Sequence, residues 1–325
     1  MVRFQLEADD LADTRFAISP IADAACSLWA LADPGRYTLH APWLRFARAQ
    51  LPAADLGFLL SLVGPSLALP DFITPRPAVF APSIEDELAT VRATAPQVVR
   101  RDLIAVHAPS PLPGALADAA SSDDEALAAV RDAICLVLQR YWETCLEPIW
   151  PQLRLVLEAD VTYRARRLAA GGARLLFADL HPNVRWHDGV LHIGEMIGRH
   201  EVDVSGRGLL LVPSAFAYKP VPPLISTQAP WVVYPSRGVG TLWSPAPAAD
   251  GSVLESLLGA PRARLLRLLE EPLSTSDLAR RQRVTPSAVS QHLRVLRAAG
   301  LVTRARDGRY VLYRRSRLGD ELVGG

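Results

Sequence analysis

Cysteine is scarce: Cys26, Cys135 and Cys145 are the only three in 325 residues, with no C-x-x-C pair among them. That excludes a disulfide framework and a thiolate zinc cluster, and a reducing, cytoplasmic setting is expected. Long apolar runs are also lacking. The uncharged stretch over residues 56–70 is short and broken by Gly64 and Pro65, and the acidic start MVRFQLEADD has no apolar signal core, so no membrane association is expected. Lys219 is the only lysine, leaving nearly all positive charge to arginine. No Gly-rich phosphate loop, G-x-S-x-G elbow or paired-carboxylate arrangement stands out, so the chain is not expected to be an enzyme or to carry a cofactor.

Half of the residues are apolar and 21% are charged, the composition of a globular chain and not of a disordered one. At this length two domains are expected. The net charge of +1 conceals an asymmetry: from residue 253 onward there are 14 Arg against 7 Asp and Glu, so a basic tail follows a mildly acidic body.

Residues 1–235 read as a mostly helical body with short β-strands. A strand is expected at 2–6, then short helices to about residue 68, separated by Pro34-Gly35, Pro42 and Pro52, and a Pro-rich loop over 65–82. Ser83 precedes Glu85, Asp86 and Glu87, a helix start. Ser122-Asp123-Asp124-Glu125 supplies cap candidates and acidic residues for the first turn of a longer helix carrying Leu127, Val130, Ile134, Val137, Leu138 and Tyr141 at helical spacing. A second long helix is expected over about 148–170. Beyond Gly171-Gly172, Asp188-Gly189 sits between alternating segments and signals a hairpin over 184–193. Further strands are expected at 201–204, 209–212 and 231–234. Residues 236–252, rich in Pro, Gly, Ser and Ala, read as a linker.

Residues 253–325 carry the clearest pattern. Leucines recur at helical spacing to Glu271-Pro272, and Ser274-Thr275-Ser276-Asp277 then caps a short helix. After a tight turn, Thr285-Pro286 is an N-cap with proline in the first helical position. Val289, Leu293 and Leu296 share one face of the helix that follows. The opposite face carries Ser287, Ala288, Ser290, Gln291 and Arg294, small and polar groups suited to the major groove, where Gln addresses adenine edges and Arg guanine or phosphate. His292 either touches DNA or packs beside the hairpin that follows. Gly300 ends the helix, and two apolar segments flank Arg304, Arg306, Asp307-Gly308 and Arg309, a basic hairpin able to reach phosphates or a minor groove.

Helix, short helix, turn, recognition helix and basic hairpin follow the winged helix-turn-helix plan, and TPSAVSQHLRVLRAAGLV over 285–302 resembles the recognition helix of the ArsR family. The resemblance covers roughly 253–318. It implies double-stranded DNA, an inverted-repeat operator, as partner, a homodimeric repressor, and contacts from Thr285, Ser287, Ala288, Ser290, Gln291, His292, Arg294, Arg304, Arg306 and Arg309. Metal-sensing members carry cysteines where this chain has Ser274-Thr275-Ser276, so thiolate metal sensing there is not expected. Members also continue into a further helix that helps them dimerise, whereas about ten residues follow Arg315 here.

The fold class expected is mainly α with small β elements, and the function expected is a transcriptional regulator whose body senses a small-molecule effector. The alternative is an enzymatic or partner-binding body tethered to the DNA-binding module. Two features of the body bear on a ligand. His181, His187, His192 and His200 fall within twenty residues, but their spacing matches no zinc motif, so solvated or hydrogen-bonded histidines and no metal are expected. Tyr141, Trp142, Trp150 and Tyr163 either line a cavity between the long helices or fill the core.

Overall fold

The computed structural model describes residues 1–196, 198–223, 230–243, 251–307 and 310–324. The chain divides into two compact units, Met1–Trp243 and Ser244–Gly325. It is mainly helical, with three small sheets.

In the first unit, β1 (Val2–Gln5), α1 (Ala8–Ala12) and β2 (Arg15–Phe16) precede a run of helices: α2 (Pro20–Ala32), α3 (Ala41–Gln50), α4 (Ala53–Ser61), α5 (Ile84–Arg92), α6 (Pro96–His107), α7 (Gly114–Ala120), α8 (Asp124–Tyr141) and α9 (Trp150–Phe177). The helix starts follow from side-chain capping. Ser19 accepts a hydrogen bond from the Ala22 amide, Ser83 and Asp86 form a capping box, and Asp123 accepts from the Ala126 amide. The apolar positions of α8 face inward as their spacing predicts, with Leu127, Ile134, Val137, Leu138 and Tyr141 buried.

A π-helical turn at Trp142–Leu146 links α8 towards α9. Helix α9 does not stop at residue 170: it kinks at Gly171 and Gly172, the latter at φ 61°, and resumes to Phe177. Gly172 is what the kink requires, because a side chain disfavours positive φ.

The strands that follow are β3 (Val184–His187), β4 (Val190–Ile193), β5 (His200–Val202), β6 (Leu210–Ser214) and β7 (Trp231–Pro235). Asp188 and Gly189 both have positive φ, at 49° and 77°, the geometry of the tight turn expected between β3 and β4. One sheet has the order β3-β4-β1-β5, so β1 is a central strand, antiparallel to β4 and parallel to β5. The second, β2-β6-β7, is parallel. Two apolar cores result, a large one among the helices around Ile18, Trp43, Ile134 and Leu153, and a smaller one under the sheets around Phe4, Phe177, Leu191 and Tyr234.

Residues 236–243, expected to be linker, pack within this unit. The Ser236 amide donates to the Ser214 carbonyl at 2.8 Å, and the Trp243 indole donates to His40 Nδ1 at 3.3 Å. The Arg237 amide donates to Asp160 Oδ1 on α9 at 3.1 Å, and Tyr234 Oη donates to Asp160 Oδ2 at 2.7 Å. Arg164, one turn along α9 and 1% exposed, faces Asp160 and pairs with Asp179 at 2.5 Å. This buried network fastens α9 to β7.

The second unit contains α10 (Gly251–Leu258), α11 (Ala260–Leu268), β8 (Leu273–Ser274), α12 (Thr275–Gln282), α13 (Pro286–Ala298), β9 (Val302–Asp307), β10 (Tyr310–Arg315) and α14 (Arg317–Gly324). Its sheet has the order β8-β10-β9. It has its own core, with Leu265, Leu266 and Leu269 packed on Leu278, Val289, Leu293 and Leu296. The short tail after Arg315 folds as α14, whose Leu322 and Val323 rest against that core.

Candidate nucleic-acid interface

Helix α12 begins at Ser274, whose Oγ accepts from the Asp277 amide at 3.2 Å and donates to Asp277 Oδ2 at 2.6 Å. The Ser274 hydroxyl and nearby Arg280 hold the Asp277 carboxyl below its usual pKa. Leu278 and Ala279 point into the core. The helix ends at Arg283, which takes a left-handed conformation at φ 56°, and the chain turns at once into α13.

Thr285 caps α13 by accepting from the Ala288 amide at 3.3 Å, and Pro286 occupies the first turn. At the far end Gly300, at φ 72°, lets the Leu301 amide reach the Leu296 carbonyl and the Gly300 amide reach that of Arg297. Those two bonds form a Schellman stop.

Between these caps the helix is two-sided. Val289, Leu293 and Leu296 are buried, while Thr285, Ser287, Ser290, Gln291 and Arg294 are exposed and Ala288 and His292 are half-buried. The hairpin β9–β10 stands beside it, with Arg304 paired across the ladder with Tyr313 and Arg306 with Val311. A concave groove of about 530 Å³ lies between helix and hairpin, lined by Ser290, Leu293, Arg294, Arg297, Ala298, Arg304 and Tyr313. Arg304 and Arg306, two apart on β9, share a strand face and both are exposed.

The structure therefore brings Ser290, Arg294 and Arg304 together on one groove. His292 is not among the groove's lining residues; by helical spacing it occupies the other flank of α13, with Ala288. Arg309, with Gly308, lies outside the described residues. Arg297 lines the groove and was missed in the sequence. Its spacing, three residues after Arg294 and seven after Ser290, was the available signal.

Three of the arginines on this surface stand apart from acids among the described residues. Several other arginines of the unit are engaged with acids: Arg267 with Glu255 at 3.1 Å, Arg315 with Asp320 at 2.7 Å and Arg317 with Glu321 at 3.1 Å. Among the described residues no acidic side chain pairs with Arg294, Arg297 or Arg304. A helix of major-groove dimensions bordered by free guanidinium groups is chemically fitted to base edges and to the phosphates beside them.

The remaining candidates are in the body. His181 Nδ1 is 2.6 Å from Asn183 Oδ1, His187 lies 3.0 Å from Asp188, His192 stands between Arg185 and Arg3 in the sheet register, and His200 Nε2 lies 3.1 Å from the Pro223 carbonyl. Among the described residues no group of three or more His, Cys, Asp or Glu is arranged to hold a metal. Tyr141 Oη is 2.5 Å from Ser27 Oγ, Trp142 and Trp150 meet edge to face, and Tyr163 donates to Asp179. Tyr141, Trp142 and Trp150 belong to the helical core, while Tyr163 is half-buried outside it. The three cysteines are buried and unpaired, and burial raises each thiol pKa, to about 11 for Cys135 and about 12 for Cys145. Among the described residues no helix is long and apolar enough to cross a membrane.

Comparison with known proteins agrees with the geometry. Residues 262–304 match the model of the arsR family of bacterial regulatory proteins. An arsenical resistance operon repressor, ArsR, of Halobacterium salinarum is 37% identical over 82 residues, 24% of this chain and 64% of that one. The transcriptional repressor SmtB of Mycobacterium tuberculosis is 43% identical over 67 residues, 20% of this chain and half of that one. This chain thus spans between half and two thirds of the length of these relatives. A solved structure of a possible transcriptional regulator for arsenical resistance is 36% identical, covering 23% of this chain and 77% of that chain with a TM-score of 0.19. Its caps, its two-sided α13 and its β9–β10 hairpin give the C-terminal unit a winged helix-turn-helix plan, and residues 262–304 within it are similar to the arsR family of regulatory proteins.

Proposed function

We propose that the protein is a sequence-specific, double-stranded DNA-binding transcriptional regulator, a cytoplasmic homodimeric repressor acting on an inverted-repeat operator. The observation that carries the reading is the exposed face of α13, with Gln291 and Arg294 set opposite a leucine seam and bordered by unpaired Arg297 and Arg304. Gln291 and Arg294 address base edges, and Arg297, Arg304 and Arg306 the backbone. Repression is supported by two relatives that are themselves named as repressors. Ser274, Thr275 and Ser276 open α12 without a thiol, so the signal is read by the body, which serves as a small-molecule sensor and not as an enzyme.

The test is genome-wide mapping of bound DNA followed by affinity measurement on the recovered operator. Gln291→Ala and Arg294→Ala are each expected to cost roughly 1 to 3 kcal/mol and to relax base preference. Operator affinity unchanged in both variants would overturn the reading.

A further inference from the structure

In the first unit, a groove of about 340 Å³ lies at β2, the edge strand of the parallel sheet, with Phe16, Val79, Phe80, Val161 and Leu210 among its walls. Its volume falls within the range of small-molecule pockets. Val79 and Phe80 are 60% and 50% exposed, two adjacent large apolar groups left to water beside an apolar wall. Apolar patches rimmed by polar residues mark binding sites. The loop that carries these two is held in place: Pro75, Pro77 and Pro82 restrict its backbone, and the Phe80 carbonyl accepts from the Ile18 amide at 2.7 Å. The groove therefore exists before anything binds.

Its rim is cationic. Arg15 is the one charged residue among those lining the groove, and it is exposed. Arg76 adjoins Pro77 of the wall, and Arg207 accepts at its carbonyl from Arg76 Nη2 at 3.4 Å. Burial, and then the charges of Arg15 and Arg207, hold the Arg76 pKa below its ordinary value. Arg207 meets Asp203 at 3.7 Å, whereas among the described residues neither Arg15 nor Arg76 has an acidic partner. Three guanidinium groups from three chain segments thus repel one another, and two of them lack a counter-ion. That repulsion costs stability in the free chain, and an anion relieves it.

We infer that this groove binds a small-molecule carboxylate with an apolar body, its carboxylate against Arg15 and its body along Phe16, Phe80 and Val161. One guanidinium faces the groove, and the planar fork of its N–H donors matches the two oxygens of a single carboxylate. Arg76 and Arg207 are not among the lining residues; they add attraction at longer range without touching the ligand. A cation is repelled by the same three charges, and an uncharged ligand gains only from the walls. That the carboxylate is an effector rests on the reading of the body as a sensor; the site itself does not.

The full-length chain is titrated with octanoate by calorimetry, with octan-1-ol, octylamine and acetate as controls. Octanoate is expected to bind about tenfold more tightly than octan-1-ol, the gain of one charge-assisted contact, and octylamine and acetate not at all. Arg15→Gln should bring octanoate to the level of octan-1-ol, Arg15→Lys should keep octanoate ahead, and Phe80→Ser should weaken both alike. A purely structural Arg15 would lower the melting temperature when neutralised, whereas Arg15→Gln should leave it unchanged or raise it, because a repulsion is removed. No octanoate binding at millimolar concentration, octan-1-ol equal to octanoate in the unaltered chain, or the preference retained in Arg15→Gln would overturn the site. So would self-association that Phe80→Ser abolishes and octanoate does not displace, which would assign the groove to a second copy. Octyl phosphate binding more tightly than octanoate would overturn the carboxylate head. On operator DNA, octanoate should change affinity in the unaltered chain and not in Arg15→Gln; binding without that change overturns the effector role alone. The titrations contain no DNA, so a chain that binds no operator overturns the regulator reading and leaves their result as it stands.

Discussion

Asp23 and Glu87 are carboxylic acids with almost no contact with water. Asp23 accepts from Ser214 Oγ and the Ala215 amide, Glu87 from Ser19 Oγ and the Ile21 amide, and burial nevertheless raises both pKa values to about 7. In the unfolded chain they titrate near 4. Between these values the native state holds protons that the unfolded state has released, so stability is greatest below pH 4 as far as these groups are concerned and falls as pH rises through 7. Urea unfolding at pH 5 and pH 8 should show that loss, and Asp23→Asn, which keeps an acceptor oxygen, should remove its share, on the order of a few kcal/mol at roughly 1.4 kcal/mol per pKa unit. Arg164 gives a second prediction. Replacing it by Met leaves Asp160 with the Tyr234 hydroxyl and Arg237 amide but no buried cation, and should cost about 3 kcal/mol in denaturant unfolding. None of this was legible in the sequence, where Asp23, Glu87 and Arg164 look like the solvated charges of ordinary helix surfaces. Their burial follows from residues 60 or more positions away for the two acids.

Elements were legible where their signals are local. The caps at Ser83 and Thr285 and the Asp188-Gly189 turn each lie within four residues of what they determine and are legible in the sequence, while the runs 122–125 and 274–277 signal a helix start and the structure assigns the cap itself to Asp123 and Ser274. The π-helical turn after α8 and the resumption of α9 beyond its two glycines depend on packing against other elements, and the sequence did not show them. In the candidate interface, α13 and the spacing that sets Arg297 beside Arg294 are local signals, while the groove shared with β9 depends on how the hairpin packs. Two predictions belong to these elements. Thr285→Ala removes the oxygen that accepts from the Ala288 amide and should destabilise the C-terminal unit by about 1 kcal/mol in thermal unfolding. Arg297→Ala and Arg304→Ala should each weaken DNA binding similarly on all sequences and reduce the slope of log affinity against log salt by about 1; a change of base preference would assign them to readout instead.

For the whole molecule, the core around Leu265 and Leu293 shares no residue with the two cores of the first unit. Two cooperative transitions are therefore expected in calorimetry, with operator DNA raising the temperature of only the one that Thr285→Ala lowers. Sedimentation should give twice the mass of one chain if the homodimer is correct. The division into a body and a basic module could be read from the charge asymmetry alone. The partition of the body could not, because its sheets join distant segments.

The central place of β1 bears on how the chain is made. Val2 pairs with Ile193 on one side and with His200 on the other, so this strand leaves the ribosome about 190 residues before either neighbour exists. The sheet cannot close during synthesis of the helical layer, and an apolar strand with both edges open must wait for it. Slow translation between residues 6 and 190 would prolong that wait, whereas helices α2, α5 and α8, whose caps are local, can form as they emerge. Chaperone demand during synthesis should accordingly drop once residue 202 is clear of the exit tunnel, at a point where the DNA-binding unit has yet to be translated.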